Sequence, residues 1–212
     1  MNPTARQLIL ATLLISLQYL SVAQQNTPYA AWLLPGVNWY PAKNTSLLGQ
    51  VGYSQYLAAG LFYPQAFITV HKNIVLNPAY IFFVQRKEGR PELTEHYLMN
   101  SIILKAAGKM IFAEDRNMLW DRFTVGAAAT HYYRNRLKVG LLFKSGEKIT
   151  KLYGYDELYY LFNSSIVTRN RIALGMSHDI SLHVNAEITY VRQWDRYSGN
   201  LNLFFIQATW QW

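Results

Sequence analysis

No cysteine occurs among the 212 residues, which excludes disulfides, thiolate chemistry and any zinc site built on sulfur. Charge is sparse as well. Only 15% of residues are charged, and 12 acidic residues face 20 basic ones, for a net charge of +8. Such an excess can serve nucleic acid, but the lysines and arginines are spread along the whole chain without a basic block or stripe, so no nucleic-acid partner is expected. Phosphate loops and dinucleotide fingerprints are missing, and there is no internal repeat beyond a strand and turn rhythm.

Long hydrophobic runs are missing from all but the first residues. After the first 23 residues the longest uncharged stretch, 45–70, holds Gln50, Ser54, Gln55, Pro64, Gln65 and three glycines, which makes it a poor transmembrane helix. The exception is the start. Arg6 precedes an apolar run from Leu8 to Val22, and Ser21 and Ala23 then offer small residues before a polar segment. A charged segment, an apolar segment and a small-residue cleavage site make a secretory signal peptide over residues 1–23, with cleavage expected after Ala23. Fifteen residues interrupted by Gln18 are short for an uncleaved anchor, which needs about 20.

Aromatic residues are abundant: 16 Tyr, 10 Phe and 6 Trp. Such residues favour strands and membrane interfaces. The chain also shows period two. Leu182, Val184, Ala186, Ile188 and Tyr190 alternate with His183, Asn185, Glu187 and Thr189. Phe204, Ile206, Ala208, Trp210 and Trp212 share a face opposite Gln207, Thr209 and Gln211, while Tyr133, Leu137, Val139, Leu141 and Phe143 oppose Arg134, Arg136, Lys138 and Lys144. Alternation of this kind marks strands with one apolar and one polar face.

Short turns at 71–73, 106–109 and 178–181 roughly alternate with longer polar connections at 85–92, around 119–130 and at 195–200. Dyad segments of about 10 residues joined by alternating short and long connections are the pattern of a transmembrane barrel. Residues 24–212 are therefore expected to form a single antiparallel up-and-down β-barrel in the outer membrane of a Gram-negative bacterium. A direct pass marks eleven strands: 32–40, 46–56, 60–70, 74–86, 92–107, 109–119, 130–145, 151–163, 168–179, 181–195 and 200–212. Single-chain bacterial barrels have even strand numbers, so twelve is the preferred count, with ten possible. Closure leaves no unpaired edge in hydrocarbon. The final strand then carries Trp210 and Trp212 outward into an interfacial aromatic girdle in contact with outer-membrane lipid. A terminal aromatic of this kind also resembles the signal read by the outer-membrane barrel assembly machinery.

Several blocks in the second half resemble a known family. They are "TEHYLMNSIILK" at 94–105, "FAEDRNMLWDRF" at 112–123, "YYRNRLKVGL" at 132–141, "YGYDELYYLF" at 153–162 and "TRNRIALGM" at 168–176. These are similar to successive blocks of the domain of unknown function 2490 family, secreted Gram-negative proteins without an assigned activity. Glu95 and His96 match a Glu-His-Arg block in which Tyr97 replaces the arginine. Arg116 and Arg122 fit an arginine-bearing strand, and Arg134 with Arg136 the following pair. Asp156 and Glu157 fit a Tyr-Asp-Glu block, and Asn170 with Arg171 an Asn-Arg block. The resemblance implies an outer-membrane barrel and assigns no chemistry.

Alternation places Arg134, Arg136 and Lys138 in the lumen, opposite a face read as lipid-compatible. Glu95, Glu114, Glu157 and Glu187 fall on faces that alternation permits to be lumenal, as do Arg116 and Arg171. These residues form the candidate lumenal charge network, in which Arg134, Arg136, Glu157 and Arg171 belong together because three successive strands carry them. Paired charges of this kind rigidify a narrow barrel, or line a path for a small anion or polar solute. The functional expectation is thus a barrel with an ion-paired lumen, structural or passing small solutes. The alternatives are a lipid-modifying outer-membrane enzyme and a soluble periplasmic β-sandwich or barrel that binds a ligand.

Catalysis finds little support. His96 and Ser101 lie five residues apart, on opposite pleats of a strand, and His183 with Glu187 lacks a nucleophile. No catalytic residue, metal ligand or cofactor is assigned, because "HVNAE" at 183–187 supplies two candidate ligands where a metal needs three or four.

Overall fold

The computed structural model describes residues 27–86, 88–89 and 91–212. The expected signal peptide at 1–23 and its cleavage site lie outside the described residues. Eleven strands follow in order: β1 (Tyr29–Ala42), β2 (Thr45–Ser54), β3 (Ala59–His71), β4 (Ile74–Gln85), β5 (Leu93–Ala107), β6 (Ile111–Thr124), β7 (Thr130–Ser145), β8 (Lys148–Leu161), β9 (Ile166–Asp179), β10 (Val184–Asp195) and β11 (Leu201–Gln211). Each corresponds to one segment of the direct sequence pass, shifted at the ends by a few residues. The largest difference is at β6, which runs on to Thr124. Among the described residues no helix is long and apolar enough to cross a membrane, which says nothing of crossing by strands.

Each strand pairs with its sequence neighbours, and β1 closes onto β11 to complete a barrel. Ten of the eleven seams are antiparallel. The closing one is parallel, with Tyr29 opposite Asn202 and Asn38 opposite Gln211. This corrects the expectation of a wholly antiparallel sheet. The count of eleven lies within the expected range of ten to twelve, and an odd number of strands that reverse direction at every turn leaves the first and last pointing the same way. The seam continues past β11, where the Trp212 N–H donates to the Asn38 carbonyl at 2.9 Å and the Tyr40 N–H donates to the Trp212 carbonyl at 3.2 Å.

Turn length differs between the two rims. One rim carries the tight connections 43–44, 72–73, 108–110, 146–147 and 180–183, together with Trp212. The other carries 55–58, 86–92, 125–129, 162–165 and 196–200, together with the start of β1. Burial alternates along the strands as a closed sheet requires. Inward residues include Trp32, Leu34, Glu95, Met118, Glu157, Tyr159 and Val191, all buried. Outward residues include Leu33, Val37, Val51, Phe62, Ile102, Leu119, Val139, Leu141, Ile172, Leu174 and Ile206, all exposed. Trp210 and Trp212 are outward and exposed as well, and the Trp210 ring stacks on His183 at 5.9 Å.

The outer face also holds polar groups at mid-strand. The Asn135 amide donates to Asp115 at 2.7 Å and to Asn117 at 3.2 Å, and Asn117 itself donates to Asp115 at 3.0 Å. Tyr133 hydroxyl donates to Asn117, and Asn170 donates to Asp156 at 2.9 Å. Between Tyr133 and Phe143 the face of β7 opposite its arginines is therefore apolar except where Asn135 joins this cluster, and His131 beyond it lies 2.7 Å from Asp121.

Candidate functional site

The lumenal residues divide into a dense layer and a cavity. At the centre of the layer is Glu157, fully buried on β8. Its ladder partners are Arg136 on β7 and Arg171 on β9. Arg134 donates from Nη2 to Glu157 Oε2 at 2.5 Å, Arg171 Nη1 lies 3.3 Å from Oε1, and Arg136 Nε lies 3.8 Å from Oε2. Tyr159 completes the layer. Its hydroxyl donates to Glu157 Oε1 at 2.8 Å and accepts from Arg171 Nη1 at 2.7 Å. The guanidinium carbons of Arg134, Arg169 and Arg171 lie 5.0, 5.0 and 5.2 Å from the Tyr159 ring centre, within the range of a cation–π contact. One carboxylate and one phenol ring thus order four arginines from two strands, β7 and β9, groups that would be costly to bury unpaired.

The structure keeps the other expected members apart. Glu95 belongs to a second group nearer the long-loop rim, where Arg122 Nε and Thr124 Oγ1 donate to it at 2.9 and 3.0 Å and the Tyr97 hydroxyl also donates. Glu187 accepts from the Tyr153 hydroxyl at 2.7 Å and from the Gln207 amide at 3.1 Å, and has no arginine partner. Glu114 stands across the ladder from Lys138, without an ion pair to any described residue. Arg116 likewise makes none, and its Nε is buried with no hydrogen-bond partner. The eight residues read as one network therefore form a core of Arg134, Arg136, Glu157 and Arg171, with Glu95, Glu114, Arg116 and Glu187 outside it.

Sequence reading missed Tyr153, Tyr155 and Tyr159, although the same period of two that turns Glu157 inward turns them inward too. Arg122 was noted only through the resemblance, and the pair Arg169 with Asp195, 2.5 Å apart, was not seen. Asp195 also accepts the backbone N–H groups of Tyr197 and Ser198 at 2.9 and 2.8 Å, which fixes the 196–200 loop over the rim.

Two cavities flank the layer. The smaller, about 120 Å³, lies towards the long-loop rim and is lined by Tyr97, Trp120, Arg122, Tyr132, Tyr159 and Arg169 among others. The larger, about 320 Å³, is lined by Arg116, Arg134, Arg136, Lys138, Arg171 and Glu187 on one side and by apolar residues interspersed with Gln50, Tyr63, Gln65 and Gln207 on the other. They share no lining residue. Arg134 faces the larger and contacts Tyr159, which faces the smaller, so the Glu157 layer lies between them.

The lumen also depends on one close approach. A Cβ at Gly175 would sit 2.4 Å from Cζ and the hydroxyl of Tyr153. Only glycine there lets the ring lie flat on β9 and reach Glu187.

The histidine pairs weighed for catalysis are not assembled. His96 faces outward, with its Nδ1 2.5 Å from the Tyr80 hydroxyl, while Ser101 is buried inside and donates to Asn77. His183 packs outside on Trp210 while Glu187 is lumenal. Among the described residues no three His, Asp or Glu side chains converge as metal ligands would.

No curated protein and no solved structure matches the chain. A family model described as a protein of unknown function, DUF2490, matches residues 15–203. That span covers the strands from β1 into the first residues of β11, including every lumenal charged group described above, and the chain belongs to the DUF2490 family.

Proposed function

We propose that the protein is an integral outer-membrane barrel whose interior is closed by the Glu157 layer, so that it acts as a structural or ligand-holding barrel and not as an open pore. The observation that carries this reading is the inverted distribution of polarity. Large apolar side chains such as Leu33, Val51, Ile102, Val139, Leu174 and Ile206 are exposed around the ring, while Glu95 and Glu157 are buried inside it. A soluble protein of this size rarely exposes a continuous apolar belt, whereas lipid requires one.

The Asp115, Asn117 and Asn135 cluster is the feature that favours the second reading, a periplasmic barrel in water. On β7 the uninterrupted apolar run Leu137 to Phe143 spans six residue steps, about 20 Å along the strand and about 15 Å along the normal at a tilt near 40°. That is shorter than the usual apolar band of about 25 Å. In the membrane reading the cluster interrupts the band at mid-strand, with Leu119 and Phe123 of β6 exposed beyond it towards the long-loop rim, and its amides and the Asp115 carboxylate are bonded to one another.

Membrane integration is tested by alkaline carbonate extraction and by gel mobility with and without heating. Retention in the membrane pellet and a heat-dependent mobility shift are the expected results. Release as a soluble periplasmic protein would favour the second reading. Closure is tested by swelling of vesicles containing the barrel in small sugars or amino acids, where no permeation above protein-free vesicles is expected.

A further inference from the structure

We propose that the 320 Å³ lumenal cavity is a binding site for an organic anion that carries a short apolar body. Charge supplies the first half of the argument. Arg116, Arg134, Arg136, Lys138 and Arg171 line the cavity, and Glu187 is the only carboxylate among its lining residues. Glu157, just behind the wall, is shared among three of the arginines, with only a 3.8 Å contact to Arg136. Glu187 is held by tyrosine and glutamine donors. Arg116 has no ion pair among the described residues, and Lys138 has only the Tyr153 ring, 4.1 Å from its Nζ. Even with Glu114 and Glu157 counted, five cations face three carboxylates.

Unused donors supply the second. The Nε atoms of Arg116 and Arg134 are buried without a partner. A buried donor left unpaired costs free energy that a bound oxyanion would recover, and guanidinium groups match carboxylate and phosphate oxygens in geometry.

Shape supplies the rest. The opposite wall is built mainly by Leu34 on β1, Leu48 on β2, Leu61 and Phe67 on β3, Ile81 on β4 and Phe205 on β11, with Tyr63 and the hydrogen-bonded chain Gln65, Gln50 and Gln207 set among them. Strands β1 and β2 lie half-way round the ring from β7, so the apolar wall faces the cationic one. At about 30 Å³ per water the space holds on the order of ten waters, or a ligand with about as many non-hydrogen atoms. An inorganic anion would leave the apolar wall wet, and a neutral lipid would leave the cations unpaired. An eight-carbon carboxylate or alkyl phosphate fits both walls.

The site deepens the closed-barrel reading but does not need the membrane, and its test is separate from carbonate extraction. Octanoate, octyl phosphate, acetate and octylammonium are titrated calorimetrically into the full barrel, reconstituted in phosphatidylcholine vesicles with protein-free vesicles subtracted, or in buffer against a buffer blank where extraction releases it as a soluble protein. One saturable equivalent is expected for octanoate or octyl phosphate, and the comparison of the two identifies the preferred head. Acetate should bind at least tenfold more weakly, and octylammonium no more than to bare vesicles. Arg116→Met and Lys138→Met should each weaken the anion at least tenfold, while the unliganded Arg116→Met barrel melts no lower than the parent because it loses a cation without a partner. Uptake of octanoate and octyl phosphate equal to that of bare vesicles overturns the site, as does equal binding of octylammonium. Unchanged affinity in both variants, or a large loss of melting temperature in Arg116→Met with affinity intact, also overturns it. Should Arg116→Met fail to fold, Lys138→Met and the parent titrations decide alone.

Discussion

Arg134 reaches Glu157 at 2.5 Å although the residue opposite Glu157 on the neighbouring strand is Arg136, whose Nε stays 3.8 Å away. The ion pair is diagonal. A long side chain on a twisted sheet can satisfy a partner two residues along as readily as the one directly across. The consequence is a division of labour, in which Arg134 neutralises the buried carboxylate and Arg136 stays largely turned to the cavity.

Replacing Glu157 by Gln keeps the shape of the layer and removes its only anion. Three arginines are then left uncompensated in the lumen, and the barrel is expected to lose about 3–5 kcal/mol. Outward Leu137→Ala, at a half-exposed position, is expected to cost about 1 kcal/mol or less. Urea titration of both variants refolded into vesicles gives the comparison, and equal midpoints would remove the layer from any account of stability.

A valine at Gly175 occupies the space of the Tyr153 ring. The ring must turn away and release Glu187, and overpacking of this kind costs about 1–3 kcal/mol. Near-ultraviolet circular dichroism should report the changed tyrosine environment, and a companion Tyr153→Ala change should recover part of the loss. A barrel with valine at 175 and an unaltered tyrosine signal would contradict the close approach.

Trp212 contributes its backbone to the closing seam and turns its ring outward. Deleting it removes the bonds to Asn38 and Tyr40, while Trp212→Lys keeps those bonds and loses the outward aromatic. Both changes are expected to reduce the amount of heat-modifiable barrel in the membrane, the deletion more. Quantitative blotting of membrane fractions provides the measurement, and normal levels for both would separate Trp212 from assembly.

Asn135 and Asp115 should show energetic coupling. Asn135→Leu alone strips the Asp115 carboxylate of its 2.7 Å donor, at a cost of about 1–3 kcal/mol. The double change to leucine removes both polar groups and should recover most of the loss if lipid covers this part of β6 and β7. A double-mutant cycle measures the coupling directly, and strictly additive losses would place the cluster in water.

Period two made the strands legible because each one separates two environments, and the separation shows residue by residue in segments such as 182–190 and 204–212. Strand number was less so. The direct pass found eleven, but the preference for twelve came from a rule about other barrels and not from any residue of this chain. Orientation was legible for Arg134, Arg136 and Glu157, whereas partners were not. Pairing depends on register across loops of unequal length, which is why Glu95 meets Arg122 and Arg116 meets no carboxylate. Asn135 shows the opposite limit, since a single polar residue in an otherwise apolar row is easily passed over when the row is read as a whole.

Parity has a further meaning for a barrel of this kind. A chain that crosses a wall an even number of times returns to the side from which it started, and one that crosses eleven times does not. Tyr29 opens β1 at the long-loop rim and Trp212 lies at the tight-turn rim. If the wall is a membrane, the two ends of the barrel domain are addressed from different compartments, and a reagent unable to cross can reach only one of them.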